Sequence, residues 1–196
     1  MSAAAVQAVA AWLTLALTHW TPAPRGETHD MFVAERGIVA DAIAGVTYDP
    51  AEPPIYKGRD GRARTALLIA SIASYESGLQ PRLAQGLCKP GECDHGLATG
   101  LLQTHMGTYG LVLLPGAGFR YCGTPEPACV TADTVKGNEG LQVRVALHFL
   151  RMGGIGRYTG EGDANGLAAR RRTMRAETWI MRHPAPPDDV EPLALE

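Results

Sequence analysis

Apolar positions recur along this chain at helical spacing rather than in strand-like alternation. Near its start, Val6, Val9, Ala10, Leu13, Leu17 and Trp20 share one face of a 3.6-residue period, which predicts an amphipathic helix docked on a core. Residues 21–26, Thr-Pro-Ala-Pro-Arg-Gly, read as a linker. A second helix is expected over residues 31–45, with Gly45 as its stop. A proline-rich loop (48–54) and a charged turn (57–61) follow. The next apolar run begins near Arg62 or Ala63 and predicts a helix to Glu76, ended by Ser77-Gly78 with Pro81 barring continuation. On its wheel Leu68, Ile72, Tyr75 and Leu79 cluster, while Ile69 and Glu76 stand at the border of that stripe. Residues 82–132 carry Gly or Pro every few positions, so they read as loops, with 109–115 as a short strand or a helical turn. Leu141, Val145, Phe149 and Met152 then share a face, and Val143, Leu147 and Leu150 cover the others. A helix apolar nearly all round is a buried, central one. It is expected over 138–152 and broken by Gly153-Gly154-Ile155-Gly156. A last helix is expected over 165–181. The pattern therefore predicts a mainly α fold with one long irregular, minor-β excursion, and shows neither internal repeat nor coiled coil. The expected organisation is an apolar helix and linker over 1–26, one domain over 27–182, and an acidic proline-rich tail over 183–196.

The chain has 196 residues, 45% hydrophobic and 19% charged, which is ordinary globular composition for one domain. Its formal net charge of −2 gives no sign of a nucleic-acid partner. The first apolar stretch, Ala3 to Leu17, is shorter than the ~20 residues needed to span a bilayer, so no stable membrane span is expected. A secretory leader wants a basic start, but the first basic residue is Arg25. A docked helix is thus preferred over an atypical leader, and release by lysis or packing into a virus particle becomes an alternative to export.

Four cysteines form two close pairs, Cys88 with Cys93 and Cys122 with Cys129, each across a Pro/Gly-containing loop. Of the three possible pairings, those loops favour the two local disulfides. Local bridges point to an oxidising place: periplasm, cell exterior or virion. The alternatives are four free thiols or a zinc site drawing on His95 and His105, but the spacings match no common zinc pattern, and neither metal nor cofactor is expected.

The chemistry concentrates around Glu76 and the run Asp94-His-Gly-Leu-Ala-Thr-Gly100-Leu101-Leu102-Gln103. A carboxyl group at the edge of an apolar stripe is partly desolvated, which favours its protonated form and suits a general acid. The plainer reading is a glutamate that caps its helix or pairs with an arginine such as Arg82. Gly100 allows close backbone approach to a ligand or simply makes a turn. Gln103 offers a donor and an acceptor to a sugar or to its own backbone. Ser77 holds the glutamate or, as is favoured, caps the helix. His148 reads as a satisfied core histidine. The basic run 170–175 reads as a solvated helix face, with attraction to an anionic polymer as the sharper option.

These elements resemble the active-site half of soluble lytic transglycosylases and goose-type lysozymes. Glu76-Ser77 is similar to their Glu-Ser pair, and Gly100-Leu101-Leu102-Gln103 to their Gly-Leu-Met-Gln motif. Arg157-Tyr158-Thr159-Gly160 resembles the transglycosylase Tyr-Asn-Gly element. The resemblance covers residues 62–182 and implies a lysozyme-like helical domain that cleaves the β-1,4 bond between N-acetylmuramic acid and N-acetylglucosamine. By the same resemblance, Glu76, Asp94 and Tyr158 are catalytic, and Ser77, Gly100, Leu101, Gln103 and His105 bind glycan. His105 stands where the goose-type pattern has a second aspartate. That departure favours a transglycosylase, which needs no base for water, over a hydrolase in which Asp94 positions water. A non-catalytic glycan-binding protein of a virion or cell wall is the third expectation.

Overall fold

The computed structural model describes residues 2–23, 26–116 and 118–187, apart from the side chain of His95. Pro24 and Arg25 of the expected linker and residues 188–196 of the expected tail lie outside them. The fold is mainly helical. Its helices are α1 (Ala3–Trp20), α2 (His29–Thr47), α3 (Gly61–Glu76), α4 (Pro81–Ala84), α5 (Cys93–Gly96), α6 (Ala132–Val135), α7 (Glu139–Tyr158) and α8 (Leu167–Arg182). Between α5 and α6 lie two small antiparallel hairpins: β1 (Ala98–Thr99) with β2 (Thr104–His105), and β3 (Leu111–Leu113) with β4 (Phe119–Tyr121).

The most enclosed helix is α3, and α7 is buried over most of residues 142–150, as its apolar pattern predicts. Nearly all of α3 up to Ser74 is buried, and Leu67, Ile69, Ala70 and Ile72 are fully enclosed. Alanine and serine make this possible, since they let neighbouring helices approach every face. The hydroxyls that such enclosure strands find backbone acceptors: Thr65 on Gly61 O, Ser71 on Arg172 O and Ser74 on Ser71 O. α1 and α2 pack on one another and on α3, α7 packs on α2, and α8 packs on α3. One continuous cluster joins Val9, Leu13 and Leu17 of α1 to Ile43, Leu67, Ile72, Leu147 and Trp179. Each large apolar side chain in it contributes ~1.5–3 kcal/mol through burial.

α1 is thus docked, as its apolar face predicts, and the boundary expected after residue 26 crosses a shared core. It is also the one helix among the described residues whose length and apolarity would allow a bilayer span. The chain after α8 returns to it: Trp12 donates its indole N–H to His183 O at 3.0 Å. α2 runs two residues past Gly45, because burial of Val46 and Thr47 outweighs the glycine. In α7 the expected break occurs at Gly154, with φ 66° and ψ 179°, and a short turn carries the chain on to Tyr158.

Both local disulfides are present, Cys88–Cys93 and Cys122–Cys129. They staple the two ends of the irregular excursion and indicate an oxidising, extracytoplasmic setting.

Candidate functional site around Glu76, Tyr158 and the Gly100–Gln103 hairpin

Glu76 is the last residue of α3. The chain turns sharply after it, with Gly78 and Leu79 both at positive φ (58° and 57°). Ser77 is buried; its hydroxyl donates to Ala73 O at 3.0 Å and accepts from Leu79 N–H at 3.2 Å. Both its bonds stay within the helix end, so Ser77 shapes the turn that holds Glu76 and does not face a ligand. The Glu76 carboxylate does not stand alone at an apolar border. Arg172 of α8 donates to its Oε1 at 2.6 Å across 96 residues of sequence, the arginine pairing of the plainer reading, while Arg82, the example partner there, goes to Glu92.

Gly100-Leu101-Leu102-Gln103 is the loop of the β1–β2 hairpin, in which Ala98 pairs His105 and Thr99 pairs Thr104. Gly100 has φ 75°, and a Cβ there would lie 2.4 Å from Gln142 Oε1. The requirement for glycine therefore comes from within: Gln142, buried in α7, accepts from Leu101 N–H at 2.8 Å and donates to Ala84 O and Val135 O. Leu101 and Leu102 are buried in the core, which withdraws the Leu101 side chain from any glycan. Gln103, at φ 47°, folds its amide back onto Gly100 O at 2.7 Å yet stays partly exposed.

Tyr158 joins the hairpin to the glutamate. Its hydroxyl donates to Leu102 O at 2.5 Å and lies 3.3 Å from Thr104 Oγ1. Burial pushes the phenol well above its ordinary range; the Thr104 contact opposes this, Glu76 adds to it, and Arg172 again opposes. A phenol held so firmly protonated is a hydrogen-bond donor and not a base. Asp94 and His105 meet across the chain at 3.4 Å, both more than half exposed.

Two open grooves flank Tyr158 and share Phe149, Arg157 and Tyr158 as walls. The smaller, about 220 Å³, is completed by Gln103, Thr104, His105 and Gly160. The larger, about 420 Å³, is completed by Phe119, Arg120, Tyr121, Met152 and Gly153. Phe119 stacks on Phe149 at 4.0 Å, and Tyr121 stands edge-on to Phe119. Glu76 lines neither groove. The structure therefore brings Tyr158 together with Gln103 and His105, sets Asp94 beside His105, keeps Glu76 within electrostatic reach of Tyr158, and turns Ser77 and Leu101 inward.

Arg172, Gln142 and the aromatic groove were not anticipated from sequence. Arg172 was legible in principle: with Ala169, Ala176 and Trp179 it forms the buried face of α8, and an arginine on such a face needs a buried partner. The basic run is accordingly split. Arg170 and Arg171 are exposed, whereas Arg172 and Arg175 turn in, the latter onto Ser74 Oγ and the Tyr75 ring. Among the described residues the one grouping of metal-ligand types, Cys122, Glu126 and Cys129, has its sulfurs in a disulfide and its carboxylate on Arg120. No protein-family model, curated protein or solved structure matches this chain.

Proposed function

We propose that this protein is a peptidoglycan-cleaving glycosidase of lysozyme-like fold, acting as a lytic transglycosylase with Glu76 as acid and then base. The observation that carries the reading is the meeting of two segments distant in sequence, with the Glu76 charge close enough to raise the phenol further. The Tyr158 hydroxyl is bonded to Leu102 and lies against Thr104, at the loop of the Gly100–Gln103 hairpin, and its phenol feels the charge of Glu76. Apolar ring faces beside Gln103 and His105 suit the stacking of a sugar chain.

In the proposed reaction Glu76 gives its proton to the glycosidic oxygen as the bond from C1 of the muramoyl residue breaks. It then takes the proton of that residue's 6-hydroxyl as O6 bonds to C1. The acid is regenerated, no water is consumed, and an anhydro end results. Arg172 holds Oε1, which leaves Oε2 as the oxygen that carries the proton. Tyr158 holds the hairpin through its bond to Leu102 O.

Digestion of purified peptidoglycan, followed by mass spectrometry, tests this. Products lighter by one water are expected, and Glu76→Gln should lower release by ~10²–10⁴-fold without loss of helical content. Full release by that variant would remove Glu76 from the mechanism. Products with reducing ends would favour hydrolysis, the reading supported by the exposed Asp94 beside His105. Binding of glycan without release would leave a non-catalytic wall or virion protein.

A further inference from the structure

We propose that Arg172 is a positioning residue for Glu76, so that the rate of bond cleavage depends on Arg172 through that carboxylate; the inference rests on the role just given to Glu76. The pair is the closest polar contact that Glu76 makes, 2.6 Å between Arg172 Nη2 and Oε1. The arginine is the more enclosed partner, its side chain 11% exposed against 22% for the glutamate. A guanidinium is costly to bury unless its partner is fixed.

Arg172 is itself held through both Nη atoms, while its buried Nε has no hydrogen-bond partner among the described residues. Its Nη1 donates to Ala168 O at 3.0 Å, and its guanidinium lies 5.0 Å above the Tyr75 ring. Its carbonyl accepts the Ser71 hydroxyl at 2.9 Å, which ties this turn of α8 to the middle of α3. The start of α8 is held as well: the Glu161 carboxylate accepts the N–H groups of Ala168 and Ala169, each at 2.9 Å. A glutamate at the end of a helix otherwise has three torsions to order before it can meet a substrate atom. An arginine locked in this way confines those torsions, and the placement of a reacting group is worth ~100-fold in rate for an error of about 1 Å.

The experiment compares Arg172→Gln and Arg172→Lys with the full-length protein in peptidoglycan digestion, measuring kcat and KM per folded molecule alongside Tm. Arg172→Gln should lower kcat by about tenfold or more and change KM by less than about twofold, since an interaction that serves only the reacting geometry leaves binding intact. Arg172→Lys should recover part of that loss, because it restores the charge without the planar fork. In a Glu76→Gln background Arg172→Gln should add no further loss, as expected of two residues acting as one unit. If Arg172→Gln does not fold, the kcat of Arg172→Lys decides alone, with a loss expected. Wild-type kcat in the folded variants, whatever their Tm, overturns the inference and leaves the glycosidase reading standing. Absence of release by the wild-type protein ends both.

Discussion

Gly100 and Glu92 show what a single position here is answerable to. The conformational freedom of Gly100 serves a buried glutamine, not an incoming sugar, because the Gln142 side chain fills the space a Cβ would need. No spacing rule reveals this, since Gln142 lies 41 residues from Leu101, whose amide it receives. Glu92 is the opposite case, a surface carboxylate with a strong local purpose. It accepts both Nη atoms of Arg82 and the Lys89 N–H, and so braces the Cys88–Cys93 loop. Arg82 first, then the Lys89 amide, hold its carboxyl down at about 2, against 4.5 ordinarily. A group depressed in the folded state adds stability above its unfolded pKa, and that stability is lost as pH falls through the folded value. The melting temperature of the wild-type protein should therefore exceed that of Glu92→Gln at pH 6. The gap should close as pH falls from about 4.5 toward 2, and salt should narrow it at any pH because the pair is exposed. A gap that widened on acidification would contradict the assignment.

Elements were legible where burial and periodicity agree. α1 and α3 could be drawn from their apolar runs, and Gly78 and Pro81 marked the end of α3. The ranking of helices by burial was not legible, because alanine and serine score as neutral in a pattern yet permit the closest packing; hence α3 is enclosed more fully than α7. The β1–β2 hairpin was invisible for a related reason. Its strands are two residues each, and its stability comes from Gln142 and Tyr158 rather than from any strand-forming run. Gln142→Ala tests this directly. It strands the Leu101 N–H and the carbonyls of Ala84 and Val135, each a buried group whose lost partner costs ~1–3 kcal/mol before relaxation. A loss of roughly 3 kcal/mol in urea unfolding is expected, together with faster amide exchange at Leu101. A change below about 0.5 kcal/mol would mean that the hairpin stands without α7.

At the scale of the whole molecule, a charge cluster ties the loop after α2 to α7 and, through one imidazole, to the irregular half. Glu52, in the loop after α2, has a side chain only 8% exposed. It receives Arg151 Nη1 at 2.7 Å, with Arg144 Nε at 3.0 Å and His148 Nε2 at 3.5 Å. The other ring nitrogen of His148 lies 2.6 Å from Gly118 O, beside β4, so one imidazole spans from the Glu52 loop to the hairpin that lines the larger groove. The sequence identified His148 as a core histidine but not its company, since Glu52 and Arg151 are 99 residues apart. Arg62 adds its Nη1 to Thr47 O and Glu52 O, which fixes the loop's backbone to the start of α3. Removing the carboxylate leaves the enclosed Arg151 guanidinium without its charge partner, a defect that costs ~3–5 kcal/mol, far more than the pair itself contributes. Glu52→Gln should therefore lower unfolding stability by about 3 kcal/mol. That loss should persist in 1 M salt, because ions do not reach the enclosed Glu52–Arg151 pair, and this separates it from the salt-sensitive Glu92 effect. Because His148 and Arg151 share α7 with Tyr158, the same substitution should also loosen Gly118, Phe119 and the aromatic groove in hydrogen exchange before the helical core opens. Equal exchange in both halves, or a loss that vanishes in salt, would show that the Glu52 cluster does not hold the groove in place.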